Sequence, residues 1–266
     1  MFIIKIMTVY KIKWKSFIAD LYVPERQGTK IVVLLPGLPK SSNVEKLIEN
    51  FLRSGCIVLY PNFSGSFDSG GFFDGQQCLN NVGEFIKWAK RPSVKEIYFG
   101  KKIRFNSKNQ IILAGISFGA LAALKRYNGD VKKILLLSPV MLLRQDEIKK
   151  ITSFNFKAKI DSLVSLLRKA FPYTYRIKSY KDFKIFLNGH KDDQSQESIR
   201  KRLAALKIPT LIIHGKKDTS VPWDISVALK KTVKNNNIAW RFLDVGHSIS
   251  SYDQNTLNII SEFIKN

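Results

Sequence analysis

Nothing in these 266 residues approaches an uninterrupted apolar run of the roughly 18 needed to cross a bilayer, because lysine or another polar residue breaks every candidate stretch. The chain is therefore expected to lack a transmembrane helix. It has only two cysteines, Cys56 and Cys78, with neither metal-site nor redox spacing, and both are expected to be buried, reduced thiols. Three histidines leave few candidates for a base or a ligand. Acidic residues are also scarce: 21 Asp and Glu face 44 Lys and Arg, for a net charge of +23. The segment from Phe2 to Tyr10 has a leader-like apolar character, but Lys5 splits it and no small-residue cleavage site follows, so a cytoplasmic protein is expected.

The basic surplus would attract nucleic acid, an anionic membrane or an acidic substrate. Its lysines are scattered along the chain, however, without a dense tail or an interleaved basic and aromatic platform, which favours a generally basic surface over a dedicated nucleic-acid site. With 45% hydrophobic and 24% charged residues, the composition is that of a globular domain able to bury a full core. Oligomeric state cannot be read from it.

Strand-like runs at Val9 to Trp14 and Phe17 to Val23 predict an antiparallel opening. The unbroken run Ile31 to Leu35, ended by Pro36-Gly37, reads as a buried strand. From there helix and strand alternate: helix near Ser41 to Arg53, strand Cys56 to Tyr60, helix Leu79 to Lys90, strand Gln110 to Ala114, helix Phe118 to Tyr127 and strand Lys133 to Leu137. The pattern resumes with strand Ile208 to His214, helix Trp223 to Lys234, strand Ile238 to Leu243 and helix Tyr252 to Ile264. Such alternation predicts an α/β fold, a mostly parallel sheet with helices on both faces. The helical, aromatic and basic stretch 140–205 interrupts it and is expected to be a cap inserted into a core made of 1–139 and 206–266.

Gly115-Ile116-Ser117-Phe118-Gly119 sits between a predicted strand and a predicted helix. A Gly-x-Ser-x-Gly turn in that setting lifts the serine on a strained bend, with glycines where backbones approach closely. A serine hydroxyl needs a base. His190 lies in the cap and His214 ends a strand, whereas His247 follows the last predicted strand, at the carboxyl edge where ligand chemistry collects. Asp218, in a loop between strand and helix, suits the carboxylate that orients the imidazole better than Asp244, only three residues before His247. Two oxyanion donors are expected, the Phe118 N–H and the N–H of Gly37 or, preferably, Leu38, since Pro36 and Pro39 have none to give.

The chain order Ser117, Asp218, His247, the elbow Gly115 to Gly119, the segment His214-Gly215-Lys216-Lys217-Asp218 and the terminal Gly246-His247 together resemble the α/β-hydrolase family, from about residue 17 to the end but excluding the cap. The loop Asn62 to Gly75 is similar to the segment after the fourth strand in esterases and in prolyl-oligopeptidase-like catalytic domains. Pro36-Gly37 stands where many members carry His-Gly. The resemblance implies a serine hydrolase acting on a small acyl substrate, without metal or organic cofactor, by an acyl-enzyme route. Ester cleavage is expected first, thioester or exopeptidase activity next; a basic nucleic-acid or anionic-lipid binding protein on a hydrolase scaffold is the reading of a different class. The aromatics Phe154, Phe156, Phe171, Tyr173, Tyr175, Phe183 and Phe186 are read as helix core before acyl pocket.

Overall fold

The computed structural model describes residues 7–40, 43–105, 109–189 and 195–266. Lys5, Ser41 and His190 lie outside the described residues. Ten strands and nine α-helices are described: β1 (Met7–Trp14), β2 (Phe17–Pro24), β3 (Lys30–Leu35), α1 (Glu45–Arg53), β4 (Ile57–Pro61), α2 (Gly75–Ala89), β5 (Ser93–Lys95), β6 (Lys102–Arg104), β7 (Gln110–Ile116), α3 (Phe118–Arg126), β8 (Val131–Leu137), α4 (Gln145–Ile151), α5 (Phe156–Ala170), α6 (Tyr180–Leu187), α7 (Gln196–Ala204), β9 (Thr210–Gly215), α8 (Asp224–Thr232), β10 (Ile238–Leu243) and α9 (Gln254–Lys265).

Eight strands form one sheet in the order β1-β2-β4-β3-β7-β8-β9-β10. The first two pairings, β1 with β2 and β2 with β4, are antiparallel, and every other pairing is parallel. Side chains alternate between faces, and each face buries its own core. Ile31, Val33 and Leu35 of β3 pack with α2, α3 and α8 on one side, while Val32 and Leu34 pack with α1 and α9 on the other. The parts of these strands buried on both faces are apolar runs: Ile31–Leu35 in β3, Ile111–Ala114 in β7, Ile134–Leu137 in β8 and Leu211–Ile213 in β9.

Strand order reverses at β3: the chain crosses to β4 on one side and later to β7 on the other. The carboxyl ends of β3 and β7 therefore flank a crevice of the kind that α/β sheets use for ligands. Between β8 and β9 come the four helices α4 to α7, three of them opened by local caps. Asn155 accepts from the Ala158 N–H, Ser179 from Asp182 and Ser195 from Ser198.

The expected order of elements holds, with two differences. Helix α2 begins at Gly75, four residues before the expected Leu79, because the Asp74 side chain caps the Gln77 N–H and allows helix to start there. A small antiparallel hairpin, β5 with β6, intervenes before β7; its strands are only three residues long and rich in lysine, too short for a periodicity to register.

Leu135, fully buried in β8 between β7 and β9, measures how far this core carries the fold. Leu135→Ala is expected to cost about 2–5 kcal/mol of unfolding free energy with an unchanged denaturant slope, as read by urea titration.

Candidate active site

Ser117 sits between β7 and α3 at φ 53°, ψ −112°, a conformation that a side-chain-bearing residue holds only under constraint. The constraint is visible. The Ser117 N–H donates to the Leu137 carbonyl (2.9 Å), and the Ser117 carbonyl accepts from the Val140 N–H (3.2 Å), so the bend is tied to β8 and the segment after it. A Cβ on Gly115 would collide with the Gly119 carbonyl, and one on Gly119 with the Leu35 and Pro36 carbonyls. Both glycines of the elbow are thus fixed by backbone contact, and the second also docks the start of α3 against β3.

Asp218 lies in the loop after β9. Its Oδ1 accepts from the Ser220 and Val221 N–H groups, both at 2.8 Å, and its Oδ2 faces His247 Nδ1 at 2.7 Å. Gly215 lets the two loops meet, since a Cβ there would overlap the Val245 carbonyl. Burial works against charge on Asp218, but hydrogen bonds from His214 and His247, the nearby His247 ring and the Val221 N–H outweigh it and hold the carboxyl well below the usual carboxylate range. An ionised carboxylate at Oδ2 requires the proton on His247 Nδ1, which leaves Nε2 with a lone pair to act as a base. The rival Asp244 is exposed and paired with Lys217 at 2.8 Å.

His214 is the neighbour that the sequence left as a structural residue. Fully buried, it places Nδ1 2.7 Å from Ser226 Oγ and Nε2 3.2 Å from the Val221 carbonyl and 3.4 Å from Asp218 Oδ2. Both neighbours of Nε2 are acceptors, so Nε2 carries a proton and supports the same carboxylate oxygen that His247 uses. The only signal in the sequence was the four-residue spacing of His214 and Asp218 across a glycine turn.

Ser117 and His247 line one cavity of about 420 Å³, together with Gly37, Leu38 and Phe118. Phe118 opens α3, where backbone N–H groups have no intrahelical partner. Gly37 brings the loop after β3 against Ser117: a Cβ on it would stand 3.5 Å from Ser117 Cβ. The remaining wall is largely aliphatic, with Val140, Leu143 and Leu187 joining Ile160, Leu163 and Leu166 from one face of α5. Of the aromatics singled out in 140–205, Phe156 alone reaches this wall. Tyr175, Phe183 and Phe186 are buried against Phe73 and Phe118, and Tyr173 faces solvent. The loop Asn62 to Gly75 does not line the cavity. It is pinned by Arg176, whose guanidinium donates to the carbonyls of Phe67, Ser69 and Gly71.

Among the described residues no cluster of His, Cys, Asp and Glu is placed to hold a metal ion. Both cysteines are buried, and burial pushes the Cys56 thiol up to about 11 and raises that of Cys78 well above its ordinary value.

A comparison with protein-family models finds no match. The AB hydrolase superfamily protein YisY of Bacillus subtilis is 30% identical over 180 residues, a span of 57% of this chain and 65% of that protein, so the match extends over somewhat less than two thirds of the relative. Among solved structures, the esterase Pf2001 of Pyrococcus furiosus superposes with a TM-score of 0.66 at 19% identity, covering 97% of this chain and 90% of that one. The alpha/beta hydrolase GrgF from Penicillium sp. sh18 does so with a TM-score of 0.69 at 15% identity, over 97% and 98%.

Because the carboxyl of Asp218 is depressed in the fold, its contribution to stability is present above the unfolded-state value near about 4 and is lost as pH falls below that. Asp218→Asn is therefore expected to be less stable than wild type at neutral pH by about 1–3 kcal/mol, with the gap closing below about pH 4 in urea titrations across pH.

Proposed function

We propose that this chain, whose fold is that of the α/β-hydrolase superfamily, is a serine hydrolase that cleaves carboxylic esters through an acyl-enzyme on Ser117. The observation that carries the proposal is the short Asp218–His247 contact, 2.7 Å, in a cavity whose wall also includes the strained Ser117. His247 Nε2 takes the Ser117 proton as Oγ attacks the ester carbonyl. The imidazolium so formed rests against ionised Asp218, and its proton passes to the departing alcohol. Water then attacks the acyl carbon as it gives a proton to His247, and the bond to Ser117 Oγ breaks as that proton passes to Oγ, releasing the acid and restoring the serine. The Phe118 N–H and an N–H of the loop after β3, with Leu38 preferred, receive the oxyanion in both steps. His214 and the Ser220 and Val221 N–H groups act as positioning groups, fixing the carboxylate that fixes the imidazole.

The aliphatic wall from α5 supports an aliphatic acyl chain over a polar or peptide acyl group, because such a wall repays burial of methylenes and leaves amides unsatisfied. Lys159 also lines this cavity and favours an acidic leaving group, which keeps a thioester of an anionic carrier as the second reading.

Turnover of p-nitrophenyl esters of increasing chain length tests this. Ser117→Ala and His247→Ala are expected to lower kcat by roughly 10⁴-fold or more. Ile160→Trp is expected to move the optimum to shorter acyl groups without abolishing turnover of the acetate. An unchanged length profile in Ile160→Trp removes α5 from the acyl site, and full activity of Ser117→Ala removes the mechanism.

A further inference from the structure

The hairpin β5–β6 carries the most exposed aromatic side chain of the described residues. At its tip Ile97, Tyr98 and Phe99 are 40%, 70% and 93% exposed. This exposure is imposed by bonds that fix the turn. Glu96, itself only 4% exposed, accepts the Tyr98 N–H on Oε1 (2.6 Å) and the Phe99 N–H on Oε2 (2.7 Å). The Glu96 N–H donates to the Lys101 carbonyl, the Ile97 N–H donates to the Lys11 carbonyl of the edge strand β1, and Gly100 closes the turn at φ +68°. A buried carboxylate that grips the Tyr98 and Phe99 N–H groups, with Ile97 tied to β1, holds three consecutive side chains in water and points to a ligand that covers them.

Beside the tip is a depression of about 470 Å³ between the hairpin, β1 and the end of α2. Lys13, Arg91, Lys95 and Lys102 line it over Trp14 and Trp88, and among the described residues no carboxylate does. Trp14 and Trp88 lie 6.0 Å apart, ring to ring, and the Arg91 guanidinium stands over Trp14 at 6.0 Å. Several neighbouring cations are paired with carboxylates: Lys11 with Asp20 and Asp68, Lys15 and Lys87 with Glu84, Lys90 with Asp130. Lysines that look scattered in the sequence are thus gathered here by the fold, next to an apolar wedge.

We propose that this hairpin docks the protein on an anionic phospholipid bilayer, with Ile97, Tyr98 and Phe99 entering the interfacial layer and the four cations collecting phosphodiester headgroups over the tryptophan floor. The two signals are those that interfacial binding requires together, a small inserted apolar element and a local excess of Lys and Arg. Single-stranded nucleic acid would also meet lysines and rings here. It gains nothing by covering Ile97, however, and its bases stack along a platform or groove, not on one reverse turn. None of these residues lines the Ser117 cavity, so the face serves placement of the protein and not the chemistry.

Flotation with vesicles, one set of phosphatidylcholine alone and one an equimolar mixture with phosphatidylglycerol, tests the proposal. Tyr98→Ser with Phe99→Ser, and separately Lys95→Ala with Lys102→Ala, change solvent-facing side chains and leave turnover of a soluble ester as a check on folding. Wild type is expected to float with the anionic vesicles and not with phosphatidylcholine, in a salt-sensitive manner, and each double variant to partition about tenfold or more weakly with activity intact. Equal flotation on both vesicles, no flotation, or flotation indifferent to the tip substitutions overturns it. So does binding of single-stranded DNA or of glycerol phosphate that the lysine substitutions abolish while vesicles go unbound.

Discussion

A carboxylate with no solvent-exposed side-chain surface, Asp218, lies between two imidazoles, and most of the site's geometry can be understood as what that arrangement requires. Removing an ionised carboxyl from water is costly unless its lone pairs are satisfied. Here Oδ1 has two backbone donors and Oδ2 has His247 at 2.7 Å with His214 behind. The loop that supplies the donors is the same loop that presents the carboxylate, so the charge and its solvation come from one short stretch after β9. Its negative end then dictates the tautomer of His247, and through it which nitrogen can serve as a base.

The sheet determines where that imidazole can reach. Strand order reverses at β3, and the elements that follow β3, β7, β9 and β10 deliver Gly37–Leu38, Ser117, Asp218 and His247 to one edge. Parallel pairing makes those four loops neighbours although the residues they carry are as much as 210 positions apart in the chain. Close backbone approaches at Gly115, Gly119 and Gly215 make the joins tight enough to leave no room for a side chain. The helices between β8 and β9 then close the crevice with an aliphatic face of α5 and Phe156, and leave Tyr175, Phe183 and Phe186 of the same segment to the core. That division separates a cluster of polar groups from a wall that is largely aliphatic.

Much of this is legible in the amino-acid order because the relevant signals are local. A strand buried on both faces, such as β3 or β9, appears as an unbroken apolar run, and the serine elbow is written in five consecutive residues. What was not legible depends on contacts distant in sequence or on elements too small to have a period. The packing of His214 against Asp218 needs the turn geometry after β9; Tyr175, Phe183 and Phe186 lie in the core as read, but the partners they meet there, Phe73 and Phe118, come from other parts of the chain. The hairpin at 93–104 rests on three-residue strands and on a carboxylate that grips its own turn, and neither leaves a pattern. Charge behaves likewise: a tally of lysines gives the net value but not which ones share a surface.

Active-site titration with a fluorophosphonate, followed by intact-mass measurement and peptide mapping, examines the central claim most directly. An activated Ser117 predicts one phosphonyl group per chain, mapped to that residue and lost when His247 is replaced by Ala. A folded wild-type protein that takes up no label, or takes it up on another residue, would contradict the account.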